Sequence, residues 1–129
     1  MSRLPRALNL WLPVILWAAL IFALSSIPSL DSGLGSWDLV LRKLAHAAEY
    51  ALLAALLLRA LTRSWLAFLG ALAYAASDEL HQHFVRGRTG TPRDVAIDAA
   101  GALIGLAICY CGRRLLARSV PPRPAAHEE

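Results

Sequence analysis

The sequence predicts an all-α protein, a polytopic membrane bundle of four transmembrane helices. Composition is the first reason. Of the 129 residues, 57% are hydrophobic and 17% are charged, which is too little polar surface to cover the core of a small soluble domain. The second reason is that four apolar segments alternate with short polar turns. Each segment is long enough, at about 1.5 Å per residue, to cross a hydrocarbon core of roughly 30 Å.

The first two helices are predicted at residues 8–24 and 37–61. Asn9 is the only polar residue of the first helix. Pro28 follows shortly after, and the first helix is predicted to end before it because proline cannot continue a helix cleanly. A cleaved signal peptide is the alternative interpretation of this segment. Its length and the three apolar segments after it favour a retained span. Ser36 is the predicted N-cap of the second helix.

The third helix is predicted at residues 65–83, and the fourth begins with a strong start signal. Thr91 is a predicted N-cap, and Pro92 occupies the first helical position, where its missing N–H costs nothing. Two glycines in the fourth helix, Gly101 and Gly105, form a Gly-x-x-x-Gly pair. Such a pair predicts close approach of a neighbouring helix.

The chain is predicted to be one membrane domain, residues 1–118, with a disordered cytoplasmic tail at 119–129. The fourth helix is expected to end near Gly112. Eight of the thirteen Lys and Arg residues lie on the side of the two termini. This bias predicts a multi-pass protein of the bacterial inner membrane with both termini inside the cell. The basic residues lie at helix ends without interleaved aromatics, a pattern that does not favour nucleic acid as a partner.

Ionisable and polar residues from three predicted helices gather at the extracytoplasmic end. Ionisable groups at membrane depth are costly, face protein or water, and mark functional sites by default. Five of them are the predicted catalytic residues: His46, Glu49, Asp78, Glu79 and Asp98. Four more are predicted to bind a substrate: Lys43, Tyr50, Gln82 and Arg88. The alternative is a purely structural polar network that holds the bundle together.

Two kinds of chemistry suit these side chains, and the sequence leaves the choice between them open. In acid–base chemistry, a deeper carboxyl such as Glu49 is kept protonated while a shallower one such as Asp78 or Glu79 ionises. In a metal site, His46 and Glu49 join carboxylates and His81 of other helices, and such mixed ligands suit zinc, manganese or iron. No cofactor is strongly implied, and a divalent metal remains an alternative.

The ordered motifs of the chain resemble the VanZ-like family of small bacterial membrane proteins. The resemblance covers residues 21–107 and rests on Ser25-Ser26-x-Pro28, Lys43-x-x-His46-x-x-Glu49-Tyr50, Ser77-Asp78-Glu79-x-x-Gln82-x-Phe84-x-x-Gly87-Arg88, Asp94-Val95, Gly101 and Gly105. The chain departs from the family pattern at three positions: Arg42 for Asp, Arg86 for Pro, and Asp98 for Asn. The resemblance implies a role in the cell envelope and a link to antibiotic resistance, namely low-level resistance to the glycopeptide teicoplanin.

Three function classes are therefore open. The first is an enzyme that acts at the outer leaflet on an envelope lipid or another amphiphile. The second is a non-catalytic protein that binds or shields such a molecule. The third is a small transporter, which the apolar residues 51–58, 65–73 and 102–108 disfavour because they offer no polar path through the inner half. The expected partners are the lipid bilayer and an anionic envelope lipid or glycopeptide.

Overall fold

The computed structural model describes residues 5–28 and 35–119. They form four α-helices in chain order: α1 (Arg6–Ser25), α2 (Ser36–Leu61), α3 (Ser64–Gln82) and α4 (Pro92–Ser119). No strand occurs within the described ranges, which confirms the all-α fold class. The predicted tail begins at the last residue of α4, and its remaining residues, 120–129, lie outside the described part of the chain.

Three of the four helices, α1, α2 and α4, are long and apolar enough to cross a membrane. Their outer faces carry large apolar side chains, among them Leu16, Leu44 and Ile108, each more than half exposed. A contiguous apolar exterior of this kind fits lipid rather than water. Among the described helices, α3 does not reach the same apolarity, because its last two turns contain Asp78, Glu79 and other polar residues. Its crossing of the membrane stays a prediction.

The helices run up, down, up and down. Lys43 of α2 contacts Asp94 of α4, and Ala51, two turns further along α2, lies against Gly105, so α2 and α4 run parallel. Tyr74 in the middle of α3 reaches the backbone of α1 at Ala18, and the C-terminal ends of these two helices meet. The first turns of α2 and α4 therefore gather with the last turns of α1 and α3 at one end of the bundle.

The Gly-x-x-x-Gly prediction is confirmed, and the structure supplies the partner. A Cβ atom on Gly101 would overlap the backbone of Ala47, and one on Gly105 would overlap the backbone of Ala51. Both glycines are buried. Without side chains there, α2 and α4 touch backbone to backbone, which is how small residues hold membrane helices together. This contact fixes the depth of every polar group on α2 relative to those on α4.

The predicted start of α4 is confirmed. The backbone N–H of Asp94 donates to Thr91 Oγ1 at 3.3 Å, and the Thr91 hydroxyl donates to Asp94 Oδ2 at 2.7 Å. The cap of α2 was predicted one residue late, since Gly35 takes this position at φ 57° and Ser36 is the first helical residue. A positive φ is a conformation that glycine adopts more readily than serine.

The predicted end of α4 near Gly112 is wrong, because the helix continues to Ser119. A glycine inside a helix costs only about 1 kcal/mol relative to alanine. The residues that follow, Arg113 to Leu116, are good helix formers, and Arg118 in the last turn complements the negative end of the helix dipole. One glycine is therefore a weak stop signal in this context.

Candidate functional site

The polar end of the bundle contains a cavity of about 1000 Å³. Its wall combines the end of α1, the first half of α2, the end of α3, and the loop and first turns of α4 around residues 87–98. Seven of the nine predicted site residues line it: Lys43, His46, Glu49, Glu79, Gln82, Arg88 and Asp98. The convergence of polar groups from separate helices is thus present, and the chemical role of each residue stays a prediction.

The floor of the cavity holds a histidine–carboxylate pair that joins α2 to α4. His46 Nδ1 lies 3.3 Å from Asp98 Oδ1, a contact without hydrogen-bond geometry. Asp98 is completely buried, and neither of its carboxylate oxygens accepts a hydrogen bond from the described residues. A buried carboxylate in this condition is costly to a fold. An unpaired buried carboxylate of this kind indicates a functional role or a bound ion.

Glu79 belongs to the same floor and is held by the loop before α4. Its Oε2 accepts a hydrogen bond from the backbone N–H of Thr91 at 3.1 Å. Gly90 packs so closely on the backbone of Glu79 that a Cβ atom there would overlap it. The loop before α4 is therefore fastened to the last turns of α3, and the carboxylate of Glu79 has a fixed direction.

Asp78 lies at the same level as this floor but is not one of the described residues that line the cavity. Its Oδ2 accepts hydrogen bonds from Ser25 Oγ at 2.7 Å and from Gln82 Nε2 at 3.0 Å. Asp78 and Ser25 are both 2% exposed. This buried triad ties the end of α1 to the end of α3, so the geometry gives Asp78 a structural contact that the sequence did not reveal.

Arg88 closes the end of α1. Its Nε donates to the carbonyl of Ile27 at 3.0 Å and its Nη2 to the carbonyl of Leu24 at 3.1 Å, which satisfies backbone acceptors that a helix end leaves free. Its Nη1 lies 3.4 Å from Gln82 Oε1. Burial, helped by the positive charge of Arg42, lowers the pKa of the Arg88 guanidinium, but an arginine stays protonated in proteins. Two of its five N–H donors remain for a ligand.

The other two predicted binding residues differ in their positions. Lys43 Nζ donates to Asp94 Oδ1 at 3.1 Å at the cavity wall, so this lysine is paired across α2 and α4. Tyr50 is completely buried, and among the described residues none accepts or donates a hydrogen bond at its hydroxyl. Its ring lies nearly parallel to that of His46, with centroids 6.5 Å apart, and Tyr50 is not among the described residues that line the cavity.

His81, a candidate ligand in the metal interpretation of the sequence, does not join the cluster. Its ring stacks on Phe22 at 4.4 Å, and its Nε2 lies 3.0 Å from Ser26 Oγ. The group that can hold a metal is instead His46, Glu79 and Asp98, each of which offers one ligand atom within 4.8 Å of the others. Helical spacing alone favoured His81 because it could not show which way the end of α1 covers α3.

Some residues of the site were missed by the sequence analysis. Ser25 lines the cavity and its hydroxyl donates to Asp78, although it was not among the predicted site residues. Asp94 and Arg93 also line the wall. The available signal for Ser25 was its position, since it is a hydroxyl at the end of an apolar helix and immediately before the turn. A polar residue there has to find a partner from another helix.

The cavity combines three chemical capacities. Its floor offers carboxylates and an imidazole, which can transfer protons or coordinate a metal. Its wall carries four cations, which can bind an anion: Arg42, Lys43, Arg88 and Arg93. The same wall contains apolar residues that can contact hydrocarbon: Leu24, Ile27, Pro28, Leu39, Ala45 and Ile97.

The model of the VanZ/LLP1 family matches residues 10–116, which include all the residues that line the cavity. No curated protein and no solved structure matches the chain. The family match covers most of the sequence, and its range contains the motifs described above. Together with three helices suited to a bilayer, it identifies the chain as a member of the VanZ-like family of membrane proteins.

Proposed function

We propose that this protein binds the headgroup of an anionic amphiphile of the cell envelope in the cavity at the polar end of the bundle. The observation that carries the proposal is the amphipathic lining, in which cations and apolar side chains occupy the same wall. A soluble anion needs only the cations, and a neutral apolar molecule needs only the hydrocarbon. A molecule with a charged head and an acyl chain uses both.

The cations differ in their availability to such a headgroup. Lys43 is paired with Asp94, Arg42 contacts Asp38 at 2.7 Å, and Arg88 uses three of its donors on the protein. Arg93 is exposed at the wall. It has no hydrogen bond or ion pair with the described residues. We assign the first contact with a phosphate or carboxylate to Arg93, with Arg88 and Lys43 completing the pocket by charge.

The proposal extends to chemistry on the bound molecule. Glu49 lines the cavity, and its carboxylate forms no hydrogen bond or ion pair with the described residues, so it is open to a ligand. The His46–Asp98 pair lies on the same floor. A carboxylate and an imidazole within reach of one ligand are the usual partners of acid–base catalysis. A non-catalytic binder needs neither, which separates the two classes experimentally.

Transport receives less support from the structure. Away from the cavity the bundle is filled by side chains that are fully or almost fully buried and apolar: Leu53, Ala54, Leu57, Leu58, Ala67 and Ala71. Within the described residues no polar route leads from the cavity floor through this core. A transported ion or headgroup would have to cross it unsolvated.

The inferred link to glycopeptides follows from the same cavity. An envelope lipid held there, or altered there, would change what teicoplanin can reach at the outer leaflet. This requires the polar end to face outward, which is the orientation that the positive-inside bias of the sequence predicts. Resistance would then be a consequence of amphiphile binding rather than a separate activity.

The prediction for the binding step is that Arg93→Gln weakens anionic-lipid binding while Arg86→Gln leaves it unchanged. Both arginines are exposed and lie near the same loop, but only Arg93 lines the cavity. Loss of one charge-assisted contact of about 1.5–3 kcal/mol corresponds to an affinity loss of roughly 10- to 100-fold. Native mass spectrometry of the detergent-purified protein titrated with phosphatidylglycerol measures this, with phosphatidylcholine as the neutral control. Equal losses in both variants would show that general surface charge, not the cavity, holds the lipid.

A purely structural network is the second candidate function for the polar groups, and one observation favours it. Ser25, Asp78, Gln82 and Arg88 form a continuous hydrogen-bonded chain between α1, α3 and the loop after α3. That chain explains four of the polar residues without a ligand. It leaves Glu49 and Asp98 unexplained, because the described residues satisfy neither carboxylate through a hydrogen bond, and it also leaves Asp78 Oδ1 buried without a partner among them.

A further inference from the structure

The deepest part of the cavity contains three side chains with the donor atoms of a metal site. One nitrogen from His46 and one oxygen each from Glu79 and Asp98 lie within 4.8 Å of one another. Ligand atoms around an ion with bonds of about 2.1 Å are roughly 3–4 Å apart. Small side-chain rotations that move each donor atom by up to about an ångström would bring the three atoms to the separation that a bound ion requires.

The second and independent observation is the condition of Asp98. It is completely buried, it lines the cavity, and its Oδ2 has no hydrogen-bond partner among the described residues. Among the described residues, its one neighbour within ion-pair distance is His46 at 3.3 Å, which is itself one of the three donors. A divalent cation bound here would supply the positive charge that two ionised carboxylates beside one imidazole require in a confined space.

The surroundings of the three donors also fit a metal. The backbone N–H of Thr91 donates to Glu79 at 3.1 Å and fixes the direction of that carboxylate. The ring of Tyr50 lies nearly parallel to the ring of His46, with centroids 6.5 Å apart. Outer partners of this kind orient metal ligands and raise the affinity of a site. The three donors come from three helices, so the site depends on the backbone contact between α2 and α4.

We propose that His46, Glu79 and Asp98 bind a divalent transition-metal ion, for which Zn²⁺ is the best chemical match. An imidazole with two carboxylates suits zinc, iron or manganese, whereas magnesium and calcium take oxygen ligands, and calcium needs six or more. Three protein ligands leave at least one position open toward the cavity. An oxygen of the proposed anionic headgroup can occupy it. The metal site goes beyond the amphiphile proposal, since an ion can bind with no amphiphile present.

The test is zinc binding to the full-length protein purified in detergent, with Cys109→Ser and Cys111→Ser introduced so that thiols do not compete. After treatment with a chelator, we expect calorimetry to show one equivalent of Zn²⁺ bound and a higher melting temperature in its presence. Asp98→Asn should weaken binding by more than about tenfold, the loss that follows from disturbing even an outer partner of a metal. His83→Gln, at an exposed histidine outside the cavity lining, is the matched control and should bind as the parent does.

Two further measurements keep the result unambiguous. X-ray absorption at the zinc edge should show only nitrogen and oxygen ligands. Glu79→Gln should reproduce the loss seen with Asp98→Asn, so the conclusion does not depend on the folding of one variant. Absence of saturable one-to-one binding, equal binding by parent and both variants, or a preference for Mg²⁺ over Zn²⁺ would overturn the proposal. Failure here leaves lipid binding by Arg93 untouched, because that titration contains no metal.

Discussion

Asp78→Ala is expected to destabilise the bundle strongly, whereas Asp78→Asn should retain the stability of the parent. Alanine removes the acceptor of the buried Ser25 hydroxyl and leaves Gln82 Nε2 only its longer contact of 3.3 Å with Ser25. A buried donor without its acceptor costs about 1–3 kcal/mol. The asparagine oxygen can replace Asp78 Oδ2, and its amide nitrogen takes the place of Oδ1, which has no partner among the described residues. One unpaired polar atom thus replaces another, and a neutral amide is less costly to bury than the carboxylate.

Thermal unfolding in detergent, followed by the fluorescence of the four tryptophans, measures both variants. Ser77→Ala is the neighbouring control, because Ser77 is exposed and bonds only within its own helix, to the carbonyl of Tyr74. An alanine variant at position 78 that melts with the parent would contradict the structural role of the triad. A stable Asp78→Asn protein that has lost its cellular function would instead support the predicted catalytic role of Asp78.

Glu49→Gln is expected to abolish cellular function with little change in stability. The carboxylate lines the cavity and forms no hydrogen bond or ion pair with the described residues, so an amide of the same shape disturbs no internal contact. An acid or base that transfers a proton contributes about 10²- to 10⁴-fold to a rate, and glutamine cannot replace it. A residue with no structural partner and a large functional effect is what distinguishes a catalytic site from a polar scaffold.

The measurement is teicoplanin susceptibility of cells that express each variant, with the amount of protein in the membrane determined in parallel. His83→Gln serves as the control, since this exposed histidine lies outside the cavity lining. Parental protection by Glu49→Gln at equal abundance would exclude proton transfer by this residue. The protein would then be a binder, in which shape and charge of the wall matter more than the acids of the floor.

The parts of the fold that follow from local chemistry were predictable. The cap at Thr91 and the proline after it concern neighbours in sequence, so the start of α4 needed no knowledge of the other helices. The Gly-x-x-x-Gly pair, Gly101 and Gly105, also predicted that another helix would approach α4 closely, but it did not predict which helix. That α2 covers it at Ala47 depends on how all four helices pack.

The site shows the same division. The gathering of ionisable groups at one end followed from helical spacing and from the cost of burying charge. The assignment of partners did not. Arg88 was expected to bind a substrate. In the structure it donates to the carbonyls of Leu24 and Ile27, more than 60 positions away. Sequence patterns predict which residues need a partner. They do not predict which backbone group of a distant helix is that partner.

Photo-crosslinking in membranes tests the central claim, an anionic amphiphile in the cavity, most directly. A phosphatidylglycerol analogue with a photoreactive group beside its phosphate is incorporated into vesicles with the protein, irradiated, and the attachment sites are read by mass spectrometry. The account predicts attachment within residues 42–49 and 87–94, reduced by excess unlabelled phosphatidylglycerol and not by phosphatidylcholine. Attachment spread over the lipid-facing surface of α4, at Leu103, Ile104 and Ile108, with no enrichment at the cavity, would contradict it.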